Sequence, residues 1–289
     1  MKYFDLHCDT LYEAYKRLEE LDHNDLNVSF EKAKVYDDYR QIFAVWTEHG
    51  LTSYDAYEQF LRITDLFADE IGQNDILSVE GGSLLEGDFS GKLEYMKDLG
   101  VRLLTLVWKD ECFIGGAWNT DSGLTDAGKA VVEKMFDSGI TPDLAHASDR
   151  MIYDVCDIAI RRGLPVVNTH TCSRSICDHK RNITDDMFNM IVSTGGIVGI
   201  TLYPFHVNNT ESCTVSDVIK HIDHFIDIGG SRNLCIGADL DGVEDMLPDG
   251  IRNVSDVRLI ADMMIDLGYP HTAVEDIFFN NAYNFFKNK

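Results

Sequence analysis

The chain has 289 residues, 45% of them hydrophobic and 26% charged, with only 5 prolines, a composition that suits a globular protein with a large core and excludes a disordered or fibrous one. Lysine and arginine number 25 against 49 aspartates and glutamates, a formal charge of −24, so nucleic acid and membrane surfaces are not expected partners. Apolar runs such as residues 195–202 are far too short to span a bilayer.

Short apolar or β-branched runs alternate with segments of helical period from end to end. Strands are predicted at residues 3–6, 41–46, 76–79, 101–107, 141–145, 165–168, 196–202 and 234–237. Between them, Leu124, Ala127, Val131 and Met135 share one helical face, and Val215, Val218, Ile219, Ile222, Phe225 and Ile226 another. Ser148 before Asp149, and Thr184 before Asp185 and Asp186, are placed as helix N-caps with acids in the first turn. Eight strand-helix units with an extra C-terminal helix near 274–286 predict an α/β fold, a closed (β/α)8 TIM barrel. An open doubly wound sheet has the same local pattern. The barrel is preferred because it gathers the polar strand ends at one mouth, together with the long connections 109–123, 171–183, 203–214 and 241–254. No linker or change of composition divides residues 1–289, so one domain is expected.

Seven scattered cysteines without a Cys-x-x-Cys pair read as reduced thiols. Together with a start that lacks the basic and apolar regions of a signal peptide, they make the cytoplasm the expected location.

The candidate chemistry stands at predicted strand ends. His7 and Asp9, two apart after the first strand, offer an imidazole and a carboxylate, donors suited to zinc or a similar divalent ion. The bland alternative is a strand-end histidine with a capping aspartate. Glu80, followed by Gly81 and Gly82, has two oxygens and can bridge two cations; a solvated acid is its ordinary fate. His146 and His170 close two apolar strands, where a single histidine would more often be a hydrogen-bonded core residue. Three imidazoles and two carboxylates suffice for a metal pair sharing Glu80, roughly 3.5–4 Å apart as in two-metal hydrolases. Asp239, in Gly-Ala-Asp-Leu-Asp-Gly, is positioned to shuttle a proton, whereas Asp241 beside Gly242 reads better as a turn acid. Arg181, in His-Lys-Arg-Asn, reads from composition as an exposed loop residue.

In this order the motifs resemble those of the renal (membrane) dipeptidase family, metal-dependent hydrolases built on (β/α)8 barrels. The resemblance rests on Asp-Leu-His7-Cys-Asp9-Thr, Val-Glu80-Gly-Gly, Val-Arg-Leu-Leu-Thr-Leu at 101–106, Gly-Leu-Thr-Asp-Ala-Gly-Lys at 123–129, Asp-Leu-Ala-His146-Ala-Ser, Thr-His170-Thr-Cys-Ser-Arg, Arg181-Asn182 followed by Asp185-Asp186, and Gly-Ala-Asp239-Leu-Asp-Gly. It implies that His7 and Asp9 hold one of two zinc ions and His146 and His170 the other, with Glu80 bridging. Asp239 would then handle the proton, and Arg181 would receive the substrate's C-terminal carboxylate. Where better-known relatives carry a histidine after Leu-Thr-Leu, this chain has Trp108. Its indole cannot accept a proton and is expected to wall the substrate pocket. The implied activity is hydrolysis of small unblocked dipeptides by metal-activated water. A homodimer is one assembly left open. Two other readings also stay open: hydrolysis of another small amide, a lactam or N-acyl amino acid, on the same design, and a non-catalytic binding barrel.

Overall fold

The structure, a computed structural model, describes residues 1–243 and 246–287. Glu244 and Asp245 of the connection 241–254, and Asn288 and Lys289 at the end of the expected domain, lie outside the described residues. The strands are β1 (Lys2–Cys8), β2 (Asp38–Trp46), β3 (Ile76–Glu80), β4 (Val101–Thr105), β5 (Thr141–Asp143), β6 (Val167–Thr171), β7 (Ile197–Ile200) and β8 (Leu234–Ile236). Each pairs in parallel with the next, and β8 returns to β1 through Asp5 and Ile236, closing a barrel. That closure excludes the open sheet. The predicted helix starts are present: Ser148 accepts from Met151 N and Thr184 from Met187 N, each satisfying a backbone donor that the first turn leaves free.

Apolar side chains fill the barrel from below. Phe4, Leu6, Ile42, Ile76, Leu103, Val167, Ile197 and Cys235 form an interior layer that meets Phe279, Ala282 and Phe286. The last three belong to the predicted C-terminal helix, a run of His271–Glu275, a π-helical Asp276–Asn280 and Asn281–Phe286 that plugs this end. Polar groups therefore concentrate at the other end, where the carboxyl ends of the strands meet. Among the described residues no helix is long and apolar enough to cross a membrane.

Several boundaries differ from the sequence expectation, and two of the differences aim the histidines. Phe4 and Leu6 face the interior, so strict alternation would turn His7 outward. The β1–β2 ladder slips between Asp5 and Cys8, with one residue more on β1 than on β2, and this bulge brings His7 back inside. Strand β6 runs past its predicted end and repeats the device. Val167 faces inward, the ladder to β7 slips between Asn168 and Thr171, and His170 points inward three residues later. The same bulge pushes the Thr169 carbonyl toward β7 and β8, where a Cβ on Gly199 or Gly237 would stand 1.9 or 1.8 Å from its oxygen. Glycine is the residue that fits at both positions.

Gly237→Ala is therefore expected to lower unfolding stability by about 1–3 kcal/mol through overpacking against backbone, read from the urea midpoint. An unchanged midpoint would mean that the Thr169 carbonyl is free to move aside.

Candidate active site

The barrel has two thin seams, and each is closed by a buried aspartate. The β1–β8 and β5–β6 ladders each have a single residue pair. Across the first, Asp5 Oδ1 accepts from His7 N (3.2 Å) and Ala238 N (2.9 Å), while Oδ2 accepts from Tyr3 OH (2.6 Å). Across the second, Asp143 Oδ1 accepts from Ala145 N (3.1 Å) and Thr169 N (3.0 Å), and Oδ2 from the hydroxyls of Thr105 and Thr169 (both 2.7 Å). These bonds carry the strand ends that present His7, Asp239, His146 and His170. His146 and Asp239 follow β5 and β8 with left-handed backbones, φ 64° and 63°, a strained conformation for non-glycine residues that clusters at functional sites.

Thr169 also sets the state of His170. Its hydroxyl proton goes to Asp143, so its oxygen accepts from His170 Nδ1 at 2.9 Å, and the His170 Nε2 lone pair is left facing the centre of the mouth.

There the five predicted donors converge. Glu80 Oε1 lies 2.9 Å from His146 Nε2 and 3.5 Å from His170 Nε2, and Oε2 lies 3.7 Å from His7 Nε2. His7 Nε2 is also 3.4 Å from Asp9 Oδ2 and 3.7 Å from Asp239 Oδ1. The donor atoms fall into three groups, each within 4.8 Å: Glu80, His146 and His170; His7, Asp9 and Glu80; and His7, His170 and Asp239. Glu80 belongs to both of the first two. No cysteine contributes to any group among the described residues. Asp9 stands beyond β1 at the start of the helix Thr10–Arg17; the helix start, not strand alternation, brings it beside His7. Gly242 is required here, because a Cβ on it would meet Asp9 Oδ2 at 2.2 Å.

The charges of this pocket are unbalanced. Burial pushes the Glu80 carboxyl well above the usual carboxylate range, and the repulsion of Asp9 adds to it. Burial also raises Asp239 to about 6, against the pull of His7. Burial, with the nearby charges of Arg181 and His7, holds His146 and His170 well below the ordinary imidazole value. Burial works to lower His7 as well, but Glu80, Asp9 and Asp239 outweigh it and raise His7 to about 10. Yet His7 Nε2 and Asp9 Oδ1 remain buried without a hydrogen-bond partner. Orphaned nitrogen and oxygen donors, two neutral imidazoles and three crowded carboxylates fit a pair of divalent cations with borderline-to-hard preferences.

Arg181 is not the exposed loop residue that composition suggests. It is 5% exposed, its Nε donates to His146 Nδ1 at 3.2 Å, and its Nη2 has no partner. Trp108 lies at the rim, its ring 5.0 Å from Trp46 and 6.3 Å from His146. With Tyr12 and Trp46 it lines a cavity of about 460 Å³ that reaches Asp9 and Glu80. Asp241 is the expected turn acid, accepting from the Thr10 hydroxyl and the backbone N–H groups of Asn27 and Val28.

The sequence reading passed over Asp5, Asp143, Thr169, Tyr12 and Trp46. Asp5 and Asp143 did leave a signal, as charged residues inside otherwise apolar strands two or three positions before a histidine. Tyr12 and Trp46 left none, because they lie far from Trp108 in the chain.

A family model described as membrane dipeptidase (peptidase family M19) matches residues 68–288, a span that includes Glu80, His146, His170, Arg181 and Asp239. Dipeptidase 3 of Mus musculus is 30% identical over 220 residues, covering 73% of this chain and 44% of the mouse protein. An uncharacterised dipeptidase of Schizosaccharomyces pombe is 30% identical over 218 residues, covering 73% and 52%. The chain thus spans about half the length of these curated relatives. Among solved structures, a metallopeptidase of Rhodobacter sphaeroides, liganded with a phosphinate mimic of the dipeptide L-Ala-D-Ala, superposes with a TM-score of 0.87 over 99% of both chains at 21% identity, a likeness of fold.

Asp143→Asn turns an amide N–H₂ toward the hydroxyls of Thr105 and Thr169 and removes the acceptor that fixes His170. Zinc affinity, measured by competition with a chelating dye, is expected to fall roughly 10–100-fold while the far-ultraviolet dichroism is kept. Unchanged affinity in the folded variant would separate Asp143 from the centre.

Proposed function

The chain belongs to the membrane dipeptidase family, peptidase family M19, and we propose that it is a binuclear zinc dipeptidase hydrolysing small unblocked dipeptides. The observation that carries this reading is the placement of Glu80, whose two oxygens face different donor sets, His146 with His170 on one side and His7 with Asp9 on the other. In this reading His7 and Asp9 hold one zinc ion, His146 and His170 the other, and Glu80 is shared. When bound, such a pair supplies an activated water and polarises the scissile carbonyl.

The remaining work falls to side chains of this chain. Asp239 is the proton carrier. Its carboxyl, raised to about 6 by burial, can take a proton at one oxygen and return it to the leaving amine near neutral pH, while a hydrogen bond from Thr201 orients it. Arg181 receives the C-terminal carboxylate of the dipeptide, for which a guanidinium fork is suited. An imidazole that gives Nε2 to a cation carries its proton on Nδ1, so His146 cannot do this and accept from Arg181 at once. A filled site therefore frees Arg181 Nε along with the unpartnered Nη2. Trp108, Trp46 and Tyr12 wall the cavity and select among substrate side chains. Seven free cysteines, six of them buried, suit a reducing compartment, and we place the protein in the cytoplasm.

Asp239→Asn keeps the size and polarity of the side chain but cannot shuttle a proton. It is expected to retain both metal ions and to lose about 10²–10⁴ in kcat on a dipeptide panel, with N-acyl amino acids as the negative control for the wild type. Metal loss with poor folding would make Asp239 a ligand or a structural acid, and near-normal turnover would send the proton elsewhere.

A further inference from the structure

The closed end of the barrel carries a cavity of its own, about 490 Å³, between the connection 67–75 that leads into β3, the start of β4 and the C-terminal plug. Phe4, Ile71, Ile76, Leu99 and Phe286 give it apolar walls. Three cations line the same space, Arg40, Arg102 and Lys287, against one acid among the described residues, Asp75. Asp75 is already engaged: its Oδ1 accepts from Gln41 N at 3.0 Å and its Oδ2 from Gly72 N at 3.1 Å. In a chain with a formal charge of −24, an excess of positive charge in one concave, partly apolar place reverses the overall field locally.

Arg40 carries the geometry. Its Cζ stands 4.8 Å from the centre of the Tyr283 ring and 5.6 Å from that of Phe279, two rings stacked 5.5 Å apart. Its Nε reaches Asp38 Oδ1 at 3.4 Å, while its two Nη groups make no hydrogen bond among the described residues. A guanidinium seated on aromatic rings and held through Nε keeps donors for an oxyanion, which it can meet with paired N–H bonds. Lys287 Nζ approaches the same Tyr283 ring from 5.9 Å, so a second cation stands beside the first. Apolar walls with a few convergent charged groups are the ordinary makeup of a small-molecule site.

We propose that this cavity binds a small organic anion, a carboxylate or phosphate ester with a compact apolar body. The body lies against Phe4, Ile76 and Phe286, and the oxyanion is received by Arg40 with Arg102 and Lys287 adding positive charge. The cavity is at the opposite end of the barrel from Glu80, so the site stands independently of the dipeptidase reading.

The test is calorimetric titration of the zinc-loaded protein with phenyl phosphate, benzoate and inorganic phosphate. Saturable binding of phenyl phosphate or benzoate is expected, and which of the two binds more tightly identifies the oxyanion. Inorganic phosphate, which has no apolar body to bury, should bind at least about tenfold more weakly. Arg40→Gln should weaken the organic anion on the order of tenfold, and Lys287→Gln, which removes an exposed charge, about threefold. If Arg40→Gln does not fold, the ring resonances of Tyr283 in the unmodified protein carry the test, and they should shift as phenyl phosphate is added. Equal affinity in the unmodified protein and the Arg40→Gln variant would put the anion at the metal mouth and overturn the assignment. So would the lack of saturable binding by either organic anion, inorganic phosphate binding as tightly as phenyl phosphate, or Tyr283 resonances that stay in place.

Discussion

Burying negative charge is the constraint on which the rest of the structure depends. Asp9, Glu80 and Asp239 all come within 3.7 Å of a single imidazole nitrogen, Nε2 of His7, and all three residues are buried. Carboxylates packed so closely away from water repel one another and lose hydration, a cost that positive partners must offset. His7 alone cannot do so, and Arg181 approaches the group from the side of His146. The donors of the pocket suit divalent cations, and Glu80, facing both donor sets, is its centre.

Holding that arrangement calls for departures from regular structure. Two bulges turn His7 and His170 inward against the strand alternation, and Gly199 and Gly237 make room for the second bulge. Residues 146 and 239, at the mouth, take left-handed backbones. Asp5 and Asp143 then substitute side-chain hydrogen bonds for ladder bonds where the barrel is thinnest. Strain and stabilisation thus fall on the same strands, so a loosened seam is felt first as a misplaced donor atom. The apolar plug at 271–286 acts from below, and it leaves the opposite mouth as the place where polar side chains collect.

Much of this was legible in the sequence because it rests on local chemistry. The strand-helix alternation, the caps at Ser148 and Thr184, the C-terminal helix and the five donors all follow from residue types at short spacings. What the sequence hid depends on register or on distant contacts. Alternation gives His7 the wrong face, since a one-residue slip leaves no mark in composition. Arg181 reads as a solvent residue because its neighbours are polar, while its burial comes from elements packed over it. Asp143 was hidden differently: its place in an apolar strand is visible, but its partners on β4 and β6 are not.

The central claim, that Glu80 is shared by two cations, is tested most directly by anomalous diffraction from crystals of the protein saturated with zinc. Two peaks are expected roughly 3.5–4 Å apart, one beside His7 and Asp9 and the other beside His146 and His170, with Glu80 between them. A single peak at full saturation, or two peaks with neither against Glu80, would contradict it.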